Sequence, residues 1–512
     1  MSEITQPFSI RLLQLPLFLL MVGFASLSML LPAAYGVAID AHLTARSFFY
    51  SSLAGLIFFG MIALAHQGRP PRHGPLGPLV SLLSAFMILP VVLAVPFYEA
   101  VQTTSFFNAY LEMVSAMTTT GATMFSDPDR LDNALHLWRG LVGWMGGLLM
   151  WLAASAILAP LNLGGFEVTA RAEPGRRERR LKQDAGTDVR ERITKATSAL
   201  FPIYLGLTGL LWLLLVLLGD SGIVALIHAM SILATSGISP TGGLEGMSSG
   251  IAGEAIMLLF MSFALSRLTF SKDTITSNSG GLVEDPEFRI GLILIIIIPA
   301  FLFVRHWLGA FDVMATNSFF EALHALWGST FTVMSFLTTT GFTSASWSTA
   351  QSWSGLQTPG LLFLGLSLVG GGVATTAGGV KLLRVFALYT NGHRELERLV
   401  HPSSVSGASA MGRRLQKGGA FIAWIFFMLF GISLAVICIA MTAFAVSFEE
   451  ALIMTIAGLS TTGPLLVHAG DAPIELAEFG TGPKAIFALA MIIGRLETLA
   501  IIALLTPDLW RS

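Results

Sequence analysis

The chain is a succession of long apolar runs separated by short polar stretches. About 20 consecutive apolar residues suffice for one helix to cross a hydrocarbon core of roughly 30 Å. Such runs lie near 10–37, 47–66, 77–99, 134–160, 196–219, 251–270, 289–309, 358–382, 418–445 and 484–506, which predicts ten spans. The first is longer than the apolar region of a cleavable signal and is soon followed by a second, so it reads as a retained helix.

Four shorter apolar segments sit between the third and fourth, fifth and sixth, seventh and eighth, and ninth and tenth runs. Each ends in a small hydroxyl cluster and a glycine: Thr118-Thr119-Thr120-Gly121-Ala122, Ala234-Thr235-Ser236-Gly237-Ile238, Thr338-Thr339-Thr340-Gly341-Phe342 and Ser460-Thr461-Thr462-Gly463-Pro464. The glycines are 116, 104 and 122 residues apart, the spacing of one structural unit repeated four times. Segments such as Phe106 to Met117 and Phe448 to Leu459 span only about 18 Å as helices, about half a membrane, so they are expected to enter and turn back. Non-helical backbone at that depth must be enclosed by protein or line a wet cavity. One such tripeptide is no more than a helix ending at a glycine; four in matching positions suggest a pore.

Charge then orients the chain. Only 12% of residues are charged and 54% are hydrophobic, which excludes an ordinary soluble domain. With 29 Lys+Arg against 31 Asp+Glu, the net charge of -2 gives no footprint for nucleic acid. Basic residues concentrate after the fourth span (Arg171, Arg176, Arg177, Arg179, Arg180, Lys182, Arg190, Arg192, Lys195) and after the eighth (Arg394, Arg398, Arg413, Arg414, Lys417). Both stretches are expected in the cytoplasm, and with ten spans both termini fall there too. The opposite side keeps scattered charges: Arg46, Arg130, Arg139, Arg305 and Lys484.

The chemistry follows from the residue types. A cation crossing lipid must exchange its water for oxygens, which stacked carbonyls supply where glycine relaxes the backbone, with threonine and serine hydroxyls as further ligands. Each short helix would also aim its partially negative carboxyl end at the ion path. Glu112, Glu321 and Glu450 stand nine, twenty and thirteen residues before their glycines. They therefore cannot form a charged ring at one level, and interfacial placement is expected for each.

Two further features lie at mid-membrane depth. Gly370-Gly371-Gly372 and Gly378-Gly379 put five glycines into ten residues of the eighth run, enough to break that helix unless they serve close packing. Arg495 in the tenth run is costly there and must face water or a partner. Glu497 lies on another helical face, so a simple pair with it is not expected. Lys381 is expected to snorkel toward the cytoplasmic interface. Cys438 reads as apolar filler and permits no internal disulfide. No histidine cluster has metal spacing and no nucleophile-base arrangement recurs, so no enzyme and no bound cofactor is expected.

With its Asp285-Pro286-Glu287-Phe288-Arg289, Gly378-Gly379-Val380-Lys381 and Gly494-Arg495-Leu496-Glu497 segments, the chain from about 75 to 506 resembles the Trk/Ktr/HKT superfamily of potassium uptake proteins. Two additional amino-terminal spans favour the TrkH/TrkG-like bacterial branch. The resemblance implies an all-α polytopic membrane protein: four membrane-pore-helix-membrane repeats around a central pore, plus two extra amino-terminal helices. The expected division is 1–70 for those helices, 71–165, 196–272, 285–390 and 417–512 for the repeats, and 166–195 and 391–416 for cytoplasmic loops.

It also implies a potassium filter at Thr119, Thr120, Gly121 and Ala122, Thr235, Ser236, Gly237 and Ile238, Thr339, Thr340, Gly341 and Phe342, and Thr461, Thr462, Gly463 and Pro464. A gate at Gly370, Gly371, Gly372, Gly378, Gly379 and Arg495 would lie below it. Potassium is then substrate rather than cofactor. A homodimer in the bacterial inner membrane, regulated by a cytosolic nucleotide-binding Trk subunit, is implied by family alone. A solute-coupled secondary transporter is the alternative; it predicts inverted two-fold repeats around one site.

Overall fold

The computed structural model describes residues 15–66, 77–159, 189–266, 285–308, 319–401 and 417–496. Arg171 to Lys182 of the first basic stretch and Arg413 and Arg414 of the second fall outside these residues, as do Glu497 and the ends of the first, fourth, sixth, seventh and tenth runs. Helix is the only extended secondary structure among the described residues.

The amino-terminal elements are α1 (Leu17–Ser28), α2 (Leu30–Ala38) and α3 (His42–Ala65). The first unit comprises α4 (Gly77–Met87), α5 (Leu89–Val101), the short α6 (Phe106–Met117) and α7 (Asn133–Ala153). The second is α8 (Val189–Leu217), α9 (Gly222–Ala234) and α10 (Gly250–Met261). The third is α11 (Pro286–Leu308), α12 (Phe319–Leu337), α13 (Trp347–Ser354), α14 (Gly360–Val369) and α15 (Leu382–Val400). The last comprises α16 (Lys417–Thr442), α17 (Phe448–Leu459), α18 (Leu465–His468) and α19 (Thr481–Leu496).

Among the described residues, seven helical stretches are long and apolar enough to cross a membrane, two of them formed by α1 with α2 and by α4 with α5, and they coincide with seven of the ten expected runs. The other three are shorter for separate reasons. α10 runs only 12 residues before a 3₁₀ turn, α14 is interrupted by the triple glycine after 10, and α19 covers 16 before the described residues end.

Local caps set the short helices. Ser105 begins α6 by accepting from the Asn108 amide, and Ser447 with Glu450 forms a reciprocal capping box at the start of α17, each satisfying amides that a helix start leaves open. α12 departs from the twelve-residue expectation: it is 19 residues long, because the apolar pattern continues upstream to Phe319.

The packing suits lipid. Phe301, Leu361, Phe421 and Ile439 face outward, while Glu112, Arg139, Glu254, Glu287, Arg384 and Arg495 are buried. Apolar side chains gain nothing by turning inward from hydrocarbon, whereas charges must find partners inside.

Candidate functional site

The carboxyl ends of α6, α9, α12 and α17 stop in the same way. Two residues before each glycine, Thr119, Thr235, Thr339 and Thr461 adopt left-handed backbone with φ of 55°, 50°, 58° and 52°. The next amide reaches back to a carbonyl of the last helical turn: Thr120 to Ser115 (2.8 Å), Ser236 to Ser231 (2.9 Å), Thr340 to Ser335 (2.9 Å) and Thr462 to Ala457 (2.9 Å). This is a Schellman-type cap with threonine where glycine is usual. A β-branched residue there carries strain, which persists only where the surroundings over-determine it.

The four loops meet in a closed ring. A Cβ on Gly121 would lie 1.8 Å from the Ser236 carbonyl oxygen, one on Gly237 2.3 Å from that of Thr340, one on Gly341 2.8 Å from Pro464 Cγ, and one on Gly463 2.1 Å from the Ala122 amide. Gly121, Gly237 and Gly341 have φ of 75°, 63° and 85°, so side chains are refused on both counts. The fourth loop breaks the symmetry. Gly463 is not in the left-handed region; it precedes Pro464, which restricts its backbone, and it donates its N–H to the Thr120 carbonyl at 2.6 Å.

Fewer hydroxyls face the ring than the sequence led us to expect. Thr120, Thr340 and Thr462 pair with the hydroxyls of Thr118 (2.8 Å), Thr338 (3.1 Å) and Ser460 (3.2 Å). Ser236 bonds Ser231, and the Ala122 carbonyl accepts from Ser115 (2.6 Å). Ile238 packs toward Gly143, and Phe342 lies edge-on to His228. Buried hydroxyls without a hydrogen-bond partner among the described residues are those of Thr119, Ser335 and Thr461.

Directly beneath lies the segment between α14 and α15. Its base is stitched by Val380 N–H to Leu368 O (2.9 Å), Lys381 N–H to Val369 O (2.9 Å) and Leu382 N–H to Gly371 O (3.0 Å). Gly370 and Gly379, with φ of 73° and 77°, face each other so closely that a Cβ on Gly379 would sit 2.7 Å from Gly370 Cα. The tip touches the ring: Gly378 N–H donates to Thr339 Oγ1 at 2.7 Å, and a Cβ on Gly378 would meet the Ser460 carbonyl at 2.0 Å.

Gly372 N–H donates to Ala264 O at 3.0 Å, with a Cβ on Gly372 placed 2.4 Å from Leu265 O, and Thr376 Oγ1 donates to Leu233 O at 3.2 Å. Arg495 Nη1 donates to the Thr376 carbonyl at 2.6 Å. The glycine-rich segment, with Arg495 on it, is thus brought against the third and fourth glycine loops and the carboxyl end of α9.

Three expectations need correction. Glu112 is 2% exposed, not interfacial: its Oε1 accepts from Arg139 Nε at 2.6 Å and its Oε2 from the Met124 amide at 2.7 Å. Glu321 and Glu450 do lie in the first turns of α12 and α17. Arg139, expected among scattered outer charges, is buried in that pair because an enclosed carboxylate requires a compensating cation. Lys381 does not snorkel: it is 7% exposed, and its ammonium folds back to donate to the Ala377 carbonyl.

Two acids carry contacts that sequence reasoning missed. Glu254 accepts from Trp327 Nε1, Ser344 Oγ and the Ala345 amide, each at 2.7 Å. Glu287 accepts from the Val373 amide at 2.9 Å. Their partners lie 73 to 91 residues away, so the signals available beforehand were a carboxylate embedded in an apolar run for Glu254 and the Asp285-Pro286-Glu287-Phe288-Arg289 segment for Glu287. Cys438 is buried filler as expected.

Comparisons with known proteins place the chain in a family. The family model described as "TrkH: Cation transport protein" matches residues 83–510. The Trk system potassium uptake protein TrkH of Halomonas elongata is 31% identical over 408 residues, covering 79% of this chain and 80% of that protein. The TrkH protein of Vibrio parahaemolyticus is 29% identical over 413 residues, with the same coverage. The crystal structure of the potassium transporter TrkH from Vibrio parahaemolyticus superposes with a TM-score of 0.79 at 25% identity, covering 98% of this chain and 100% of that one.

Proposed function

The chain belongs to the TrkH family of cation transport proteins, and from that premise we propose that it takes up potassium through the ring of glycine loops, gated by the segment beneath. The observation that carries this reading is the meeting of four strained threonine-glycine turns from four separate helices. Four helix carboxyl ends converge there, so their dipoles favour a cation, and neutral carbonyls can replace its hydration shell. Thr119, Thr235, Thr339 and Thr461 shape the turns. Gly121, Gly237, Gly341 and Gly463 allow the close approach.

Below the filter, Arg495 and Lys381 place positive charge on the Thr376 and Ala377 carbonyls. A cation leaving the filter meets both, so the closed segment opposes passage electrostatically as well as sterically. On this reading the chain is a multi-pass protein of the bacterial cytoplasmic membrane with both termini inside. It works as a homodimer with one pore per protomer and receives a nucleotide-binding regulatory subunit on its basic loops.

Rubidium flux into liposomes carrying the purified protein, with and without a proton gradient, tests the reading. Uptake is expected in both, and Gly121→Ser is expected to lower selectivity for potassium over sodium, since its side chain must displace the Ser236 carbonyl. Absent rubidium uptake, or unchanged selectivity in Gly121→Ser, refutes it. Uptake only with the gradient would make the transport coupled.

A further inference from the structure

The acids near the four short helices differ in spacing, yet one helical position is common to all. Nine residues before the glycine stand Glu112, His228, Thr332 and Met454. We infer that this position holds the outer arm of three of the four filter loops, and that the four loops are held with unequal strength.

The geometry repeats across three units. Glu112 Oε2 accepts from the Met124 amide at 2.7 Å, and from Thr123 Oγ1 at 3.3 Å. His228 Nε2 pairs with Ser239 Oγ at 2.9 Å, and Ser239 in turn accepts from the amides of Thr241 (3.1 Å) and Gly243 (3.2 Å). Thr332 Oγ1 accepts from the Ser344 amide at 3.2 Å. The sequence separations across these chords are 12, 11 and 12 residues.

Each of the three loops is therefore clamped twice by its own short helix. The Schellman-type cap fixes the arm before the glycine, and a side chain from the middle of the helix fixes the arm after it. The carbonyls between the clamps cannot rotate without breaking one of them. Selection among cations by carbonyls depends on how many dipoles face the ion and how firmly they keep their places, so these are positioning residues for the filter and need not touch the ion.

The strengths are graded. Glu112 offers a charged acceptor to two groups and is itself held by Arg139. His228 supplies one bond, and its ring also meets Phe342 of the next loop edge-on at 5.8 Å. Thr332 supplies one neutral bond, in a loop that Glu254 also holds through Ser344 Oγ and the Ala345 amide. Met454 carries only a thioether, a weak acceptor. The fourth loop continues instead into α18, with Leu466 N–H on Gly463 O at 2.9 Å.

The inference rests on the filter reading above, and one series tests both. Potassium-over-sodium flux ratios are measured in liposomes for Glu112→Gln, His228→Phe, Thr332→Val, Thr332→Ser and Met454→Leu beside Gly121→Ser. Each variant must first match the parent in yield and melting.

From the worth of charged and neutral hydrogen bonds, the ratio should fall about tenfold in Glu112→Gln, about fivefold in His228→Phe and about twofold in Thr332→Val. Thr332→Ser, which keeps the acceptor, should restore it, and Met454→Leu should leave it unchanged. If Gly121→Ser shifts selectivity while Thr332→Val and His228→Phe do not, or if Met454→Leu shifts it as much as they do, the inference is overturned and the filter reading stands. If Gly121→Ser shifts nothing, the filter reading itself fails. Thr332→Val keeps the size of threonine and Thr332→Ser keeps its hydroxyl, so loss of the acceptor is separated from loss of volume should Glu112→Gln not fold.

Discussion

Arg495 is the residue on which the gating reading turns. Its guanidinium holds the Thr376 carbonyl at 2.6 Å inside the protein, and a charge-assisted bond of that kind contributes about 1.5–3 kcal/mol. Replacing it with glutamine removes the charge and shortens the reach, shifting the segment toward release. Arg495→Gln should therefore raise rubidium uptake about tenfold or more without lowering potassium selectivity; an unchanged rate would separate Arg495 from the gate. The depth of this arginine was legible in the sequence, because a charge within an apolar run announces itself. Its partner was not, since Thr376 lies 119 residues away and only the folded chain brings a glycine-rich break over it. Glu112 is the converse case: its spacing from the glycine was visible, but comparing charges alone concealed the same position in His228 and Thr332.

Among the elements, what was local was readable. The limits of α6 and α17 match the apolar segments read from the sequence, because serine caps mark one end and the hydroxyl-glycine cluster the other. α12 is longer than the segment expected there. The packing of α7 on α6 depended on tertiary approach: a Cβ on Gly146 would lie 2.0 Å from the Met117 carbonyl oxygen, whereas one on Gly209 would meet nothing within 4 Å. Gly146→Ala should destabilise the detergent-purified protein by about 1–3 kcal/mol and, on the proposed function, reduce uptake, because Met117 ends α6 just before the first threonine-glycine turn. Gly209→Ala should cost no stability, glycine being the poorer helix former. Equal melting of the two variants would show that the contact bears no load.

At the scale of the whole molecule, all four loops come from one chain, so a single protomer contains a complete ring. The proposed dimer then has two independent paths. A tandem fusion of two copies, one carrying Gly121→Ser, should conduct with a selectivity that is the flux-weighted mean of the parent and the variant. A value equal to the variant's alone would mean that the copies share one path. The number of loops was legible from internal repetition. Their closure into a ring with one member out of step was not, because the departure arises where Pro464 meets Gly237 and Gly341 from other units.

Thr339 belongs to two machines at once. Its backbone makes one of the strained threonine turns proposed as the filter, and its hydroxyl oxygen accepts the Gly378 amide of the proposed gating segment at 2.7 Å. Thermodynamic reciprocity then applies to the proposed pore: whatever displacement of the segment does to ion affinity in the third loop, an ion bound there must do to the segment. External potassium would therefore be an effector as well as cargo, and the opening probability of the gate would carry a record of which ion occupies the filter.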